Sequence, residues 1–368
     1  MKIDKFRVEE WFNKYEKDAV YDLADTCIDS LSINELLEIS QSSKDEVFNQ
    51  KLNYGAIHGS ERLKNAVCTL YKNQTGKNIT VTHGAIGANQ LVILTLVEPG
   101  DKVVSIIPAY QQHYSIPKSF GADVKKLFLR EENNWLPDLD ELEKTAGEDT
   151  KLICINNPNN PTGMVLPDEM MQRIVKIAQK SGTYILCDEV YRGLNHYGNP
   201  FCVSCADIYD RGISTGSMSK VFSLAGLRLG WIAAEKSIID KINLQREYNT
   251  ISVGIIDDYF ASIAIENKVK IIKRNLEKIK IGKEILMDWA NTDTRIHLVK
   301  PNSGTTAFVR YNHLLSSIEL CKKLQQETGV MLLPGETLEM DKFVRIGYGN
   351  NFAKLKRGLE IFSQFLDG

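Results

Sequence analysis

No stretch of the 368-residue sequence offers the ~20 consecutive apolar residues that a bilayer-spanning helix needs, which excludes a helical membrane protein. Charge of one sign is missing too. Lysine and arginine number 45, aspartate and glutamate 47, and the formal net charge is −2. A near-neutral chain has no bulk attraction for nucleic acid or an anionic lipid surface. Internal repeats and low-complexity tracts are absent. Cysteine is sparse, with seven residues at 27, 68, 154, 187, 202, 205 and 321. Cys202 and Cys205 form a lone CxxC, and no second pair or nearby histidine pair completes a structural zinc set, so no metal is expected. No apolar core with a small-residue cleavage site follows Met1-Lys2-Ile3-Asp4, so a cytoplasmic location is expected. What remains is an ordinary soluble composition, 43% hydrophobic and 25% charged, of a length that suits two domains or one large unit with an appendage.

From Ile79 onward apolar runs alternate with helical patterns. Strands are expected at Ile79–Thr82, Lys102–Ile106, Val124–Phe128, Lys151–Ile155, Tyr184–Cys187 and Gly212–Thr215. Helices are expected at Ile86–Val97, Tyr110–Phe120, Asp138–Thr145 and Asp168–Gln179, with Asp138 as a cap. Ser60 reads as the cap of an earlier helix. Such alternation with short connections implies an α/β architecture, a mostly parallel sheet covered on both faces. Beyond Ser237 the pattern turns helical, with a long charged helix at Lys268–Trp289. Short strands follow at Thr306–Arg310, Val330–Leu333 and Phe343–Ile346, and a last helix at Phe352–Phe365. This reads as a smaller α+β domain, joined by the N-terminal segment.

Parallel sheets bind ligands beyond the carboxyl ends of their strands, and three short motifs fall there. Asn156-Asn157-Pro158-Asn159-Asn160-Pro161-Thr162-Gly163 follows one strand, Asp188-Glu189-Val190-Tyr191 the next, and Ser217-Met218-Ser219-Lys220 the third. Asn160 and Asp188 are 28 positions apart, Asp188 and Lys220 are 32, which leaves room for the crossovers that parallel neighbours require. A lysine in a partly desolvated crevice near an arginine is expected to favour the neutral amine needed for Schiff-base chemistry. Asp188 then needs another cationic partner, and a protonated pyridine nitrogen supplies one. Asn160 and Tyr191 suit a phenolic oxygen. Ser217, Ser219 and Arg228 suit a phosphate dianion. The turn Thr82–Gly87 presents Ala85 and Ile86 at a helix start, where backbone N–H groups meet an anion. Tyr110 suits a stacking role.

Together, and in this order, the motifs NNPTG, DEVY, SMSK and GLRLGW resemble those of the class I/II aminotransferases, fold-type I pyridoxal-phosphate enzymes, from Tyr54 to Arg345. The resemblance implies an aspartate aminotransferase-like fold: a large cofactor-binding domain over residues 45–255 and a small domain built from residues 1–44 and 256–368. It implies pyridoxal 5'-phosphate as cofactor and transfer of an amino group from an L-amino acid to a 2-oxo acid. Lys220 then carries the cofactor and shuttles the proton, and Asp188 pairs with the ring nitrogen. Asn160 and Tyr191 hold the phenolic oxygen. Ala85, Ile86, Ser217, Ser219 and Arg228 hold the phosphate, and Tyr110 stacks on the ring. Arg345 takes the substrate α-carboxylate, with Asn160 beside it. Tyr54 reaches the neighbouring subunit's phosphate, which implies a homodimer with shared sites.

The departures from the family lie on the substrate side. Residues 22–30, Asp-Leu-Ala-Asp-Thr-Cys-Ile-Asp-Ser, lack the glycine of the usual closing segment and carry three acids. Pro334-Gly335 is followed by Glu336 rather than an aromatic, and Asp257-Asp258 begins a helix. Acids facing the substrate are expected to favour a basic or neutral polar amino acid over a dicarboxylate. A finer likeness, in Val8-Glu9-Glu10-Trp11 and Gly304–Phe308, is to the capreomycidine synthase-like branch, which cyclises a hydroxylated arginine. A lyase or cyclase using the same cofactor is therefore the alternative, and a non-catalytic binding protein the more distant one. His83 and His113, near the crevice, read as satisfied structural residues.

Overall fold

The computed structural model describes residues 2–367. Its main sheet has seven strands, in the spatial order Ile79–Thr82, Gly230–Ala233, Gly212–Ser217, Tyr184–Asp188, Thr150–Asn156, Lys102–Ile107 and Asp123–Phe128. Gly230–Ala233 runs antiparallel to both of its neighbours, and the other six strands share one direction. The inner strands are continuous apolar runs because both faces are covered. On one face Leu152, Cys154, Leu186 and Ile213 pack with Ala88, Leu91, Val92 and Leu96 of the Gly84–Leu96 helix. On the other, Ile153, Ile155 and Ile185 pack with Met171 and Ile174 of the Asp168–Ser181 helix. The period-2 alternation of a strand sends successive residues into these two cores.

The helix ends follow local chemistry. Asp138 accepts from the amides of Asp140 and Glu141, and Ser60 from that of Leu63, so each satisfies a helix-start N–H. Gly182, at φ +65°, closes the Asp168–Ser181 helix in the left-handed conformation that glycine adopts without strain.

A second, antiparallel sheet takes the order Leu333–Pro334, Phe343–Gly347, Thr306–Tyr311, Ile296–Leu298. Tyr21–Asp22 pairs in parallel with Val330–Met331, and Trp11 Nε1 donates to Leu332 O at 3.0 Å. Thus the expected single strand over Val330–Leu333 is two strands serving different partners, because the chain turns at buried Leu332 from the N-terminal segment to the second sheet. Gly230–Ala233 was expected only as part of a motif and is a full member of the main sheet.

Candidate active site

Asn156, Asp188 and Thr215 stand side by side on adjacent parallel strands. Beyond them opens a cavity of about 300 Å³. Every residue singled out in the sequence for this site lines it except Tyr54, which is 81% exposed in the single chain. Asn156 links two of the motifs: its Nδ2 donates to Asp188 O, and its Oδ1 accepts from Asn160 N at 2.7 Å.

Asp188 is buried. Its Oδ2 accepts from Asn89 Nδ2 at 2.8 Å and its Oδ1 from Val190 N at 3.2 Å. Burial pushes its pKa up to about 6, against the pull of those donors and of Lys220. His113, fully buried, places Nε2 3.9 Å from Asp188 Oδ2. Burial holds this imidazole neutral, with its pKa down to about 4, and neither ring nitrogen has a hydrogen-bond partner among the described residues. It is therefore not the satisfied structural histidine that its isolation in sequence suggested.

Lys220 Nζ donates to Thr26 Oγ1 at 2.5 Å and lies 3.4 Å from Cys27 Sγ. The expectation of a favoured neutral amine fails here. Burial lowers the pKa, but Tyr191, Cys27 and Asp25 together outweigh it, and the net shift is upward. No arginine is among the main influences on this amine, and Arg345 donates from Nη2 to Ala24 O at 2.9 Å and from Nη1 to Asn160 Oδ1 at 3.3 Å.

The acids of the 22–30 segment divide. Asp25 lines the cavity, half-buried, and accepts from Cys27 N and Asn350 Nδ2. Asp22 accepts from the amides of Ala24 and Asp25 and thereby shapes the turn. Asp29 faces outward to Lys278 and Arg274. Asp258 is bound to the amide and hydroxyl of Ser60, so it holds a helix start rather than substrate, and Asp257 is not among the cavity residues. Glu9, unforeseen, lines the cavity and accepts from Tyr110 Oη at 2.8 Å.

The anion end of the cavity is a backbone construction. Gly230 is opposite Thr82 on one side and Ser217 on the other. This antiparallel strand brings Arg228 to the edge where the other strands end. A Cβ on Gly230 would stand 2.4 Å from Gly84 C and 2.7 Å from Ala85 N, and one on Gly84 3.2 Å from Arg228 Nη2. Gly230→Ala should therefore cost about 1–3 kcal/mol in urea unfolding and weaken phosphate binding in the same variant. Unchanged values of both would refute the close-approach argument.

Two other places have different character. Cys187, Glu189 and Cys205 gather behind Asp188. Glu189 already accepts from Ser204 Oγ and Cys205 N and lies 3.6 Å from Arg192 Nε, and a cation beside the carboxylate disfavours a metal. A larger open trough of about 1030 Å³ lies along the Lys268–Thr292 helix. Its buried Lys283 is bonded to His196, Tyr197 and Pro301.

The donor set fits pyridoxal phosphate on this structure's own observations. Buried Tyr191 Oη and Arg345 Nε lack partners among the described residues, Asp188 is a buried carboxylate with no cation in contact among them, and the Gly84–Gly230 cradle leaves room for a phosphate beside Arg228.

The family model for aminotransferase class I and II matches residues 28–362. Capreomycidine synthase of Streptomyces vinaceus is 28% identical over 362 residues, 98% of this chain and 93% of that protein. An aspartate aminotransferase of Pyrococcus horikoshii is 26% identical over 384 residues, covering 100% and 96%. The crystal structure of a PLP-dependent aminotransferase from Streptococcus suis 89-1591 superposes with a TM-score of 0.96 at 40% identity, covering 100% and 98% of the two chains.

Proposed function

The chain belongs to the class I and II aminotransferase family and is a pyridoxal-phosphate-dependent aminotransferase, and on that premise we propose how its residues divide the work and which substrates it takes. The observation that carries the assignment is the convergence in one cavity of the buried Asp188 carboxylate, the Tyr191 hydroxyl, unpartnered among the described residues, and the Lys220 amine.

When bound, the cofactor supplies an electron sink conjugated to the substrate's α-carbon. Lys220 holds the cofactor and moves the α-proton at Nζ. Asp188, kept ionised by a cationic ring nitrogen, fixes that sink. Tyr191 Oη and Asn160 orient the phenolic oxygen, and Tyr110 covers the ring. Ala85 and Ile86 amides, Ser217, Ser219 and Arg228 hold the phosphate. Arg345, positioned by Ala24 O and Asn160, presents its guanidinium to the α-carboxylate, so the carboxylate site is built jointly from the 22–30 segment and the edges of both sheets. The boundaries at residues 45 and 255 belong to the same proposal.

The protein acts as a cytoplasmic homodimer. Phe48, Leu52, Tyr54 and Ile57 are exposed, as are Tyr248 and Ile251, and the two stretches meet where Gly55 approaches Val253 O. A second copy would cover this apolar surface and receive Tyr54. Lys220→Ala and Tyr54→Ala chains, each inactive alone, should regain activity when mixed into hybrid dimers, because one site then has both groups. Hybrids that form and stay dead would count against sharing.

Among the described residues the cations lining the cavity are Lys220, Arg228 and Arg345, all with assigned roles. A side-chain carboxylate finds no free cation on this chain, while Asp25 and Glu9 oppose it. Basic or neutral polar donors are therefore preferred over aspartate and glutamate. Half-reactions with arginine, lysine, alanine and aspartate, followed by absorbance and product mass, test this. Fast turnover of aspartate alone would refute the charge argument, and a product retaining its amino group would favour a cyclase or lyase. Arg345→Lys should raise KM for all donors alike, about tenfold to a hundredfold, through loss of the bidentate fork.

A further inference from the structure

Asn89 lies in the Gly84–Leu96 helix, whose other buried side chains near it are Ala88, Leu91, Val92 and Ile93. It is 1% exposed. A buried amide is costly unless both of its ends are paired, and both are. Nδ2 donates to Asp188 Oδ2 at 2.8 Å, and Oδ1 accepts from Thr215 Oγ1 at 2.7 Å. Thr215 is the register partner of Asp188 on the neighbouring strand and is itself fully buried. A helix and two strands thus converge on one carboxylate. A leucine at 89 would suit this apolar helix equally well, so the core gives no reason for an amide there. Asp188 does.

We infer that Asn89, oriented by the Thr215 hydroxyl, is a positioning residue that aims the Asp188 carboxylate at the cofactor's ring nitrogen and favours its ionised form. This rests on the role given to Asp188 above. With Thr215 donating to its carbonyl oxygen, the amide can turn only its NH₂ toward Asp188, and a donor there stabilises the carboxylate over the acid. The other groups facing Asp188 supply less. His113 is neutral and 3.9 Å away, the Val190 amide bonds the other oxygen at 3.2 Å, and Lys220 and Tyr110 act from across the cavity. Burial carries this carboxyl toward the acid, with the Asn89 donor the largest opposing influence, and the balance leaves it at about 6.

The test uses the full-length protein loaded with pyridoxal phosphate labelled with ¹⁵N at the ring nitrogen. The readouts are its NMR shift from pH 6 to 9 and the cofactor Kd by equilibrium dialysis. Asn89→Leu should move the nitrogen signal toward the unprotonated position and weaken cofactor binding about tenfold to a hundredfold, the range for losing a hydrogen bond to a charged group. Thr215→Val should move both the same way by less, and Thr215→Ser should restore them. If Asn89→Leu does not fold, the Thr215 pair carries the test. Folded Asn89→Leu or Thr215→Val protein with the wild-type signal and affinity would overturn the inference. Asp188→Asn separates the levels. If it shifts the signal while the other variants do not, the inference alone fails, and if it too leaves the signal unmoved, the Asp188 reading fails with it.

Discussion

Lys220→Ala should lower amino-group transfer by about four orders of magnitude or more, the combined loss of the covalent anchor and of the proton carrier, with little effect on the fold. Among the described residues the amine bonds only Thr26 Oγ1 and Cys27 Sγ, groups that can turn to one another or to water once it is gone. Borohydride should tie the cofactor covalently to the Lys220 peptide in the wild type and to no peptide in the variant. Small primary amines added to the variant should restore part of the proton transfer, because the space left beside Thr26 and Cys27 lies in the cavity wall. An adduct mapped to another lysine would sink the assignment.

Asp188→Asn should produce two opposite results, one without the cofactor and one with it. In the cofactor-free chain, burial raises the Asp188 pKa from 3.8 to about 6. Below pH 3.8 the folded and unfolded chains both hold this proton, and the full stability is present. Between 3.8 and about 6 the unfolded chain releases it first, and stability declines as pH rises. Above about 6 the loss is complete, roughly 3 kcal/mol at 1.36 kcal/mol per pH unit. Asparagine has no charge to bury, and its own amide oxygen can accept from Asn89 Nδ2 where the carboxylate did. The stripped variant should therefore be more stable than the stripped wild type at pH 8, by up to about 3 kcal/mol, and equal to it near pH 3.5. With cofactor the order reverses: the ring nitrogen loses its counter-ion, and the rate should fall about 10²- to 10³-fold. Urea unfolding of stripped proteins at the two pH values, and single turnovers of loaded ones, measure both halves. A stripped wild type more stable than the variant at pH 8 would contradict the account.

The parallel strands were legible because a sheet buried on both faces writes itself as uninterrupted apolar runs, such as Leu152–Ile155 and Ile185–Cys187. Gly230–Ala233 escaped as a strand because it is four residues long and follows a glycine-bearing turn, with no alternation to mark it. The motif residues were legible because chemistry restricts what can stand at a strand end. Asn89 was not: one amide inside a helix of apolar residues carries no period, and its partner Thr215 is 126 positions away. The protonation of Lys220 was misjudged for a related reason. Its upward shift comes first from Tyr191 and then from Cys27 and Asp25, some 190 positions earlier. Asp29 and Asp258 looked like Asp25 in sequence, and only the direction of the local backbone separates a surface ion pair or a helix cap from a cavity wall.

The pairing of Tyr21–Asp22 with Val330–Met331 has a consequence for the order of events on the ribosome. The two stretches are 309 positions apart in sequence. At about 5–20 residues per second, the leading segment waits roughly 15–60 s for its partner to be synthesised. The seven-strand sheet is complete by Ala233 and can form in that interval. The segment that supplies Asp25, Thr26 and Cys27 to the cavity wall, though translated before the main sheet, docks after it. Until then Val8, Trp11 and Leu23, which end up buried, have no core to enter. The nascent chain thus passes through a stage with its cofactor cradle built and its substrate side open.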